Sequence, residues 1–211
     1  MPAYYCLMVE VEALTTLFAD VGGVLIENPW IFVADGLSAT YGLDRHEVFL
    51  KLELLSKELD RGRIDVRAFD ERLSRSVKQD IPQDYFGKLL LELSPKRVAP
   101  VWDSLSYLKN AGALRIIALS NMSREYWASL ESKFHISGLF DASVLSYELD
   151  LIKPDPRIFA VALREAGSPP HLCMFLDDSE PNVQGAERLG VMTHLATGPD
   201  ETSAFLRSLA R

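Results

Sequence analysis

Residues 14–25 read Leu-Thr-Thr-Leu-Phe-Ala-Asp-Val-Gly-Gly-Val-Leu, and this stretch decides the fold class. Its first six residues are mainly apolar, and they end at Asp20, where a Val-Gly-Gly turn begins. A short apolar run that stops at turn residues is typical of a strand buried on both faces of a parallel sheet. The stretch therefore predicts a buried strand with an aspartate at its carboxyl end.

Four similar apolar runs follow along the chain, at residues 114–119, 142–145, 172–176 and 191–195. Segments with the length and apolar spacing of helices occur at residues 101–110, 123–134, 156–166, 181–189 and 201–209. Strands that alternate with helices form parallel sheets with crossover helices. We predict an α/β fold with a Rossmann-like three-layer core and a five-stranded parallel sheet.

One region, residues 30–93, interrupts this alternation with little strand signal and much helical periodicity. It predicts helices at residues 31–41, 44–59, 66–77 and 83–93, with breaks at Gly42, Gly62, Pro82 and Pro95. We predict that residues 28–95 form an α-helical cap over the carboxyl edge of the sheet, inserted into a core of residues 1–27 and 96–211. The charges of residues 51–75 are expected to form a solvated helix face.

The composition limits the classes of function. The chain has 211 residues and a formal net charge of −8, from 30 acidic and 22 basic residues. Nucleic-acid binding as the main role and adhesion to anionic membranes are disfavoured, because both need a basic surface. Two cysteines in no metal-like spacing, no apolar run of membrane-spanning length and no signal-peptide pattern favour the cytoplasm. We expect a monomer or a homodimer.

Polar side chains gather at the predicted carboxyl ends of the strands, where parallel sheets bind ligands. Three carboxylates brought together there repel each other unless a cation lies among them. Mg²⁺ prefers a few carboxylates together with water and phosphate oxygens, and an ammonium group, a hydroxyl and backbone N–H groups suit the remaining phosphate oxygens. The candidate residues are Asp20, Ser120, Asn121, Lys153, Asp177 and Asp178.

With these residues in place, the sequence resembles the haloacid dehalogenase (HAD) superfamily of phosphohydrolases, in the subfamily with a helical cap after the first strand. Four motifs match in order, and the resemblance extends from about Leu14 onward. They are Leu-Phe-Ala-Asp-Val-Gly-Gly-Val-Leu at residues 17–25, Ala-Leu-Ser-Asn at 118–121, Lys-Pro-Asp-Pro-Arg-Ile-Phe at 153–159 and Phe-Leu-Asp-Asp-Ser-Glu-Pro-Asn-Val at 175–183.

The resemblance implies a role for each matched residue. Asp20 is expected to be the nucleophile and a Mg²⁺ ligand, and the backbone carbonyl of Gly22 is expected to face the metal. Asp178 is expected to bind the metal directly, and Asp177 through water. Ser120 and Lys153, with Asn121 beside them, are expected to bind the phosphate of a small phosphorylated metabolite.

Two positions depart from the pattern of the family. Phosphatases of this family usually carry a second aspartate, the general acid and base, where this chain has Gly22. Three explanations stay open: the substrate has a leaving group that needs little protonation, a cap residue such as Glu27 supplies the acid, or catalysis is weak or lost. Many relatives also have glycine where Asp150 stands, which predicts a differently shaped loop before Lys153.

The leading interpretation is a Mg²⁺-dependent phosphatase or phosphotransferase that forms an aspartyl phosphate on Asp20. A 2-haloacid dehalogenase would use the same nucleophile at carbon without a metal, and it would not require the Asp177-Asp178 pair. A third interpretation, a phosphate-binding domain without turnover, is motivated by Gly22. The sequence names no substrate, because the cap helices carry no motif that specifies one.

Overall fold

A computed structural model of the chain describes residues 13–92 and 96–210. Within these residues five strands form one parallel sheet in the order β3-β2-β1-β4-β5, which confirms the predicted fold class. The N-terminal extension and the predicted boundary at residue 95 fall largely outside the described residues. The strands are β1 (Thr16–Ala19), β2 (Arg115–Ser120), β3 (Ala142–Leu145), β4 (Cys173–Asp177) and β5 (Met192–Leu195).

Four helices follow β1, as the periodicity predicts. They are α1 (Pro29–Tyr41), α2 (Arg45–Asp60), α3 (Val66–Val77) and α4 (Tyr85–Glu92), and we refer to them together as the helical segment. The first three begin at side-chain caps, because Asn28, Asp44 and Asp65 each accept a hydrogen bond from a backbone N–H of the first turn. Whether the helical segment is a separate domain with boundaries at residues 28 and 95 stays a prediction.

Six further helices cover the sheet. They are α5 (Ala99–Ala111), α6 (Arg124–Phe134), α7 (Ser146–Leu149), α8 (Pro156–Ala166), α9 (Glu180–Glu187) and α10 (Pro199–Ser208). All except α7 were expected from the sequence, and α7 is a single turn, too short to produce a periodic pattern. Among the described residues, no helix is long and apolar enough to cross a membrane.

Alternate residues of the strands β1, β2 and β4 enter two separate cores, one on each face of the sheet. Leu17 and Ala19 belong to the core that also contains Leu105 of α5 and Leu206 of α10. Phe18 belongs to the other core, with Phe159 of α8. The first core continues into the helical segment, which is therefore packed against the same side of the sheet as α5.

Candidate active site

The predicted candidate residues meet at the carboxyl edge of the sheet. Asp20 follows β1, Ser120 ends β2 and Asp177 ends β4, and the parallel register places these ends side by side. The Ser120 hydroxyl donates a hydrogen bond of 2.7 Å to Asp20 Oδ1, which also accepts one of 2.7 Å from its neighbour's N–H at Val21. Asp20 and Ser120 are both buried, so these contacts fix the orientation of the Asp20 carboxylate.

Lys153 lies between two of these carboxylates. Its Nζ is 2.9 Å from Asp20 Oδ1 and 2.6 Å from Asp177 Oδ2, and it donates to the Leu119 carbonyl oxygen at 2.9 Å. The side chain is almost completely buried. A buried ammonium group is tolerated only when it is paired and hydrogen-bonded, and here all three of its N–H groups can find acceptors.

The charges of this cluster act on one another. Burial lowers the pKa of Lys153, but the Asp177 and Asp20 carboxylates outweigh it and leave the pKa raised. Burial raises the pKa of Asp20 to about 7, with Lys153 opposing the rise and Asp177 and Asp178 adding to it. A cation among the acids would favour the ionised form of Asp20, which is the nucleophilic form.

Asn121 fixes the position of Lys153 along the chain. Its Oδ1 accepts a hydrogen bond of 2.7 Å from the Lys153 N–H, and its Nδ2 donates one of 3.1 Å to the Lys153 carbonyl oxygen. Both ends of the side-chain amide are therefore engaged by the backbone of the lysine loop. The predicted part of Asn121 in phosphate binding stays a prediction; its observed contacts position Lys153.

The two neighbouring aspartates after β4 have different surroundings. Asp177 is completely buried, and its carboxylate accepts hydrogen bonds from Lys153 Nζ, the Ser179 N–H and Asn182 Nδ2. Asp178 is exposed, and its carboxylate lies against Gly23, where an added Cβ would be only 2.1 Å from Asp178 Oδ2. Gly23 also has a φ of +85°, so the backbone conformation favours glycine there, and a Cβ would have to displace the Asp178 carboxylate.

These acids form a set of donors that fits a divalent cation. Asp20, Asp177 and Asp178 each offer a carboxylate oxygen, and the three oxygens lie within 4.8 Å of one another. Hard oxygen donors with neighbouring solvent are what Mg²⁺ prefers. Asp178 has the most accessible carboxylate of the three, whereas the oxygens of Asp177 already accept hydrogen bonds from the protein.

A cavity of about 290 Å³ opens above Asp20, Gly22 and Asn121. Helix α2 contributes four polar residues to its lining at i, i+3, i+4 and i+7 spacing, namely Glu53, Ser56, Lys57 and Asp60. We call these four residues the α2 wall. Glu53 and Lys57 are exposed, and with Asp60 they are the charged residues of the predicted solvated face that also line the cavity.

Aromatic residues close the side of the cavity. Trp30 stacks on Phe86 with ring centroids 5.0 Å apart, and both rings line the cavity together with Tyr126. The side chains of Lys153 and Ser120 do not line it and lie beneath Asp20. Glu27, a sequence candidate for the missing acid, is also absent from the lining.

The turn after α2 rests on α7. The Ser146 hydroxyl donates to the Asp60 carbonyl oxygen at 2.5 Å, and Gly62 approaches α7 so closely that a Cβ would lie 2.7 Å from the Tyr147 carbonyl oxygen. Arg63 Nε lies 2.6 Å from Asp150 Oδ1. We call this set of interactions the turn contact.

The turn contact explains the departure at Asp150. This residue has a φ of 56°, the left-handed conformation in which glycine is common, so the loop keeps the backbone shape that a glycine would allow. Its carboxylate instead pairs with Arg63. Arg61 and Arg63 also pair with Glu58, and neither lines the cavity.

Two residues of the site were not predicted. Asn182 donates to both oxygens of Asp177 and lines the cavity, although the motif at residues 175–183 assigned it no role. Asp60 lines the cavity from the end of α2. The polar residues recurring at helical spacing along α2 were the available signal, but periodicity does not say which face of a helix meets a cavity.

Comparison with known proteins places the chain among enzymes of one superfamily. A family model described as haloacid dehalogenase-like hydrolase matches residues 14–190. The mouse (Mus musculus) acyl-CoA dehydrogenase family member 10 is 28% identical over 157 residues, which cover 71% of this chain and 14% of that protein. The chain spans 14 to 30% of the length of the curated relatives it matches.

Solved structures share the fold. A HAD family enzyme from Bacteroides thetaiotaomicron, in complex with magnesium and inorganic phosphate, has a TM-score of 0.69 and 23% identity, covering 87% of this chain and 94% of that one. The L-2-haloacid dehalogenase from Xanthobacter autotrophicus has a TM-score of 0.66 and 17% identity, covering 85% and 76%. Because the family model covers most of the chain, this protein belongs to the haloacid dehalogenase-like hydrolase family.

Proposed function

We propose that this protein is a Mg²⁺-dependent phosphatase that hydrolyses a small phosphorylated metabolite through an aspartyl phosphate on Asp20. The observation that carries the proposal is the grouping of three carboxylates within 4.8 Å, with Lys153 between two of them, under an open cavity. The phosphate and magnesium bound by the Bacteroides thetaiotaomicron enzyme support it.

We call Asp20, Gly22 and Gly23, together with the buried side chains of Ser120, Lys153 and Asp177 beneath them, the floor of the cavity. This floor suits phosphoryl transfer. The Asp20 carboxylate would attack phosphorus, and Ser120 and Lys153, which hold it in place, would also approach the phosphate oxygens. A Mg²⁺ ion held by Asp20, Asp178 and the Gly22 carbonyl, with Asp177 acting through water, would neutralise phosphate charge. Asp177 and Asn121 would keep Lys153 at its place during turnover.

We propose that the helical segment acts as a cap. We assign residues 28–95 to this cap and residues 1–27 and 96–211 to the core, because α1, α2 and α4 contribute the wall of the cavity that faces Asp20. A cavity of about 290 Å³ with a polar wall fits a small hydroxylated phosphate ester better than a large apolar substrate. A sugar phosphate is the substrate class that this wall fits best.

A 2-haloacid dehalogenase is the alternative that shares the nucleophile. The similarity to the Xanthobacter autotrophicus dehalogenase is a similarity of fold. The acidic cluster argues against dehalogenation, because displacement at carbon without a metal does not require Asp178 beside Asp20. A phosphate-binding domain without turnover stays the third possibility, and the two alternatives give different results in one experiment.

The experiment measures phosphate release from a panel of esters and acyl phosphates, and chloride release from 2-chloropropionate. The wild type is compared with Asp20→Asn and with Asp103→Asn, which removes an exposed carboxylate on α5 as a matched control. Each protein is assayed with Mg²⁺ and with EDTA. We expect Mg²⁺-dependent phosphate release by the wild type and the control, and a loss of at least about 10³-fold in Asp20→Asn.

Chloride release that persists in EDTA would support the dehalogenase and contradict the proposed phosphatase. Mg²⁺-dependent phosphate binding without release from any ester would favour the binding domain. Phosphate release that Asp20→Asn leaves unchanged would show that the nucleophile is assigned wrongly.

A further inference from the structure

Asp60 lines the same cavity as the nucleophile Asp20. It is the last residue of α2 and is half-buried, and Gly22 lines this cavity as well. Its electrostatic interactions reach Asp20 and Lys153, which lie on the floor. The end of α2 therefore presents a carboxyl group to the space that a substrate on Asp20 would fill.

The position of Asp60 is held by the core of the protein. The Ser146 hydroxyl binds the Asp60 carbonyl oxygen and also accepts a hydrogen bond of 2.9 Å from the Met122 N–H. Ser146 is completely buried, so this link between the end of α2 and the loop after β2 is shielded from water. The close approach of Gly62 to Tyr147 leaves the turn little freedom to shift.

Gly22 leaves a corresponding space on the floor. An added Cβ at Gly22 would meet no atom within 4 Å, and its φ is not in the left-handed region, so neither space nor backbone conformation requires glycine there. Gly22 supplies no group that can carry a proton. Leaving-group departure from phosphorus otherwise lacks a proton donor among the strand-end residues.

We propose that the Asp60 carboxyl group is the general acid and base of the reaction on Asp20, in place of the side chain that Gly22 lacks. This inference rests on the proposed phosphatase function. Among the other α2 acids, Glu53 also lines the cavity, but it lies seven residues earlier, about 10 Å along the helix axis.

The proton transfers balance in two steps. In the first, Asp20 Oδ forms a bond to phosphorus, the bond from phosphorus to the ester oxygen breaks, and the Asp60 carboxyl gives its proton to that oxygen. In the second, the Asp60 carboxylate takes a proton from water as the water oxygen bonds to phosphorus. The bond from phosphorus to Asp20 then breaks, which releases phosphate and leaves Asp60 protonated.

The charges around Asp60 are compatible with both roles. Burial raises the pKa of Asp60 to about 7; Arg61 and Lys153 oppose the rise, and Asp20 adds to it. Lys57 and Glu53 face the same cavity from one and two turns earlier on α2. A group with a pKa near the working pH gives and takes protons most effectively.

The test is the dependence of Asp60→Asn on the leaving group. For alkyl phosphates such as a sugar 6-phosphate, we expect kcat/KM to fall about 10²-fold or more, because the alkoxide leaves without a proton. For acetyl phosphate, whose leaving group needs no proton, we expect kcat/KM to stay within about threefold. Its kcat should fall, because the base for the second step is missing, and phosphoenzyme should accumulate as a phosphoryl mass gain after acid quench.

Two further variants complete the design. Glu71→Gln removes an exposed carboxylate from α3 outside the cavity and should change neither substrate class. Gly22→Asp in the Asp60→Asn background places a carboxyl in the open space on the floor and should restore at least about tenfold of the lost alkyl phosphatase activity. Circular dichroism and thermal melting compare the folding of all variants.

The outcomes separate this inference from the proposed function. Equal losses of kcat/KM for alkyl and acetyl phosphates, or none for alkyl phosphates, would overturn the role of Asp60 while Asp20→Asn remained inactive. A wild type without turnover on any phosphate would overturn both the proposed function and this inference. Restoration by Gly22→Asp together with the leaving-group split would support both.

Discussion

The charged groups on the floor of the cavity are buried and pair with one another. The charged groups on the α2 wall are largely exposed, and Asp60 among them is positioned through the backbone of a turn. Lys153 lies within 2.9 Å of both Asp20 and Asp177, and Asn121 fixes its backbone. Asp60 depends on Ser146 and on the turn contact. The side chains of the floor therefore have one fixed geometry, whereas the position of Asp60 on the α2 wall depends on how α2 packs against α7.

This difference separates two tasks of the proposed reaction. Attack on phosphorus needs a nucleophile held within tenths of an ångström, which a buried and mutually paired cluster provides. Recognition of the part of the substrate beyond the phosphate needs groups that can vary, and an exposed helix face can change without disturbing the core. The variants below test how independent the two sides are.

The largest effect is expected from Lys153→Met. Removing the ammonium group leaves the Asp20 and Asp177 carboxylates buried without their shared partner, so the free energy of unfolding should fall by about 3–5 kcal/mol. Phosphatase activity should fall with it. Urea denaturation at neutral pH measures the change, and Lys88→Met, an exposed lysine on α4, serves as the control. Unchanged stability of Lys153→Met would contradict the description of a mutually dependent floor.

The next variant pair compares adjacent glycines of the floor. Gly23→Ala forces a methyl group onto the Asp178 carboxylate and a side chain into a left-handed conformation, so we expect a loss of stability of about 1–2 kcal/mol and at least tenfold weaker Mg²⁺ binding. Gly22→Ala meets no atom and should keep stability within about 1 kcal/mol. Calorimetric Mg²⁺ titration measures the affinity of both variants. Equal Mg²⁺ affinity and equal stability of Gly23→Ala and Gly22→Ala would contradict this explanation.

A smaller effect is expected at the turn contact. Arg63→Gln breaks an exposed ion pair with Asp150, and exposed pairs contribute little to stability. Alkyl phosphatase activity should fall about fivefold or less, because Asp60 loses one of the interactions that hold its turn. The same loss should appear in the wild type when salt is raised, since salt screens exposed pairs. If the activities of wild type and Arg63→Gln depend equally on salt concentration, the Arg63–Asp150 pair does not contribute to positioning Asp60.

The last comparison concerns Asp70, a buried carboxylate of the helical segment. Its partners are backbone N–H groups, whereas the buried carboxylates of the floor pair with a lysine. Burial raises its pKa to about 6, against the hydrogen bond from the Phe86 N–H and with Asp84 adding to the rise. The contribution of Asp70 to the free energy of unfolding is therefore fully present below about pH 4, where the carboxyl is protonated. It is lost as the pH rises through about 6, where the buried carboxyl ionises.

Asp70→Asn should accordingly gain stability relative to the wild type between pH 5 and pH 8, on the order of 1 kcal/mol. Urea unfolding at the two pH values measures the difference, with the exposed Asp80→Asn as the control. A stability difference that does not change with pH would show that Asp70 is ionised at both values or at neither.

The sequence predicted the floor well because its residues directly follow buried strands, and a parallel sheet brings such ends together whatever the details of packing. Asp60 could not be assigned in this way, since its place depends on the docking of α2 against α7, a short helix without periodic signal. Asp150 shows the same limit: its left-handed backbone follows from a glycine-like position, but its partner Arg63 lies 87 residues away in the chain.

The open space beside Gly22 also bears on how such a site changes over generations. Some glycine codons are a single base change from an aspartate codon, and a Cβ added at Gly22 would meet no atom within 4 Å. Moving the proposed proton donor from the α2 wall to the floor would therefore meet no steric barrier at the Cβ and take one mutational step.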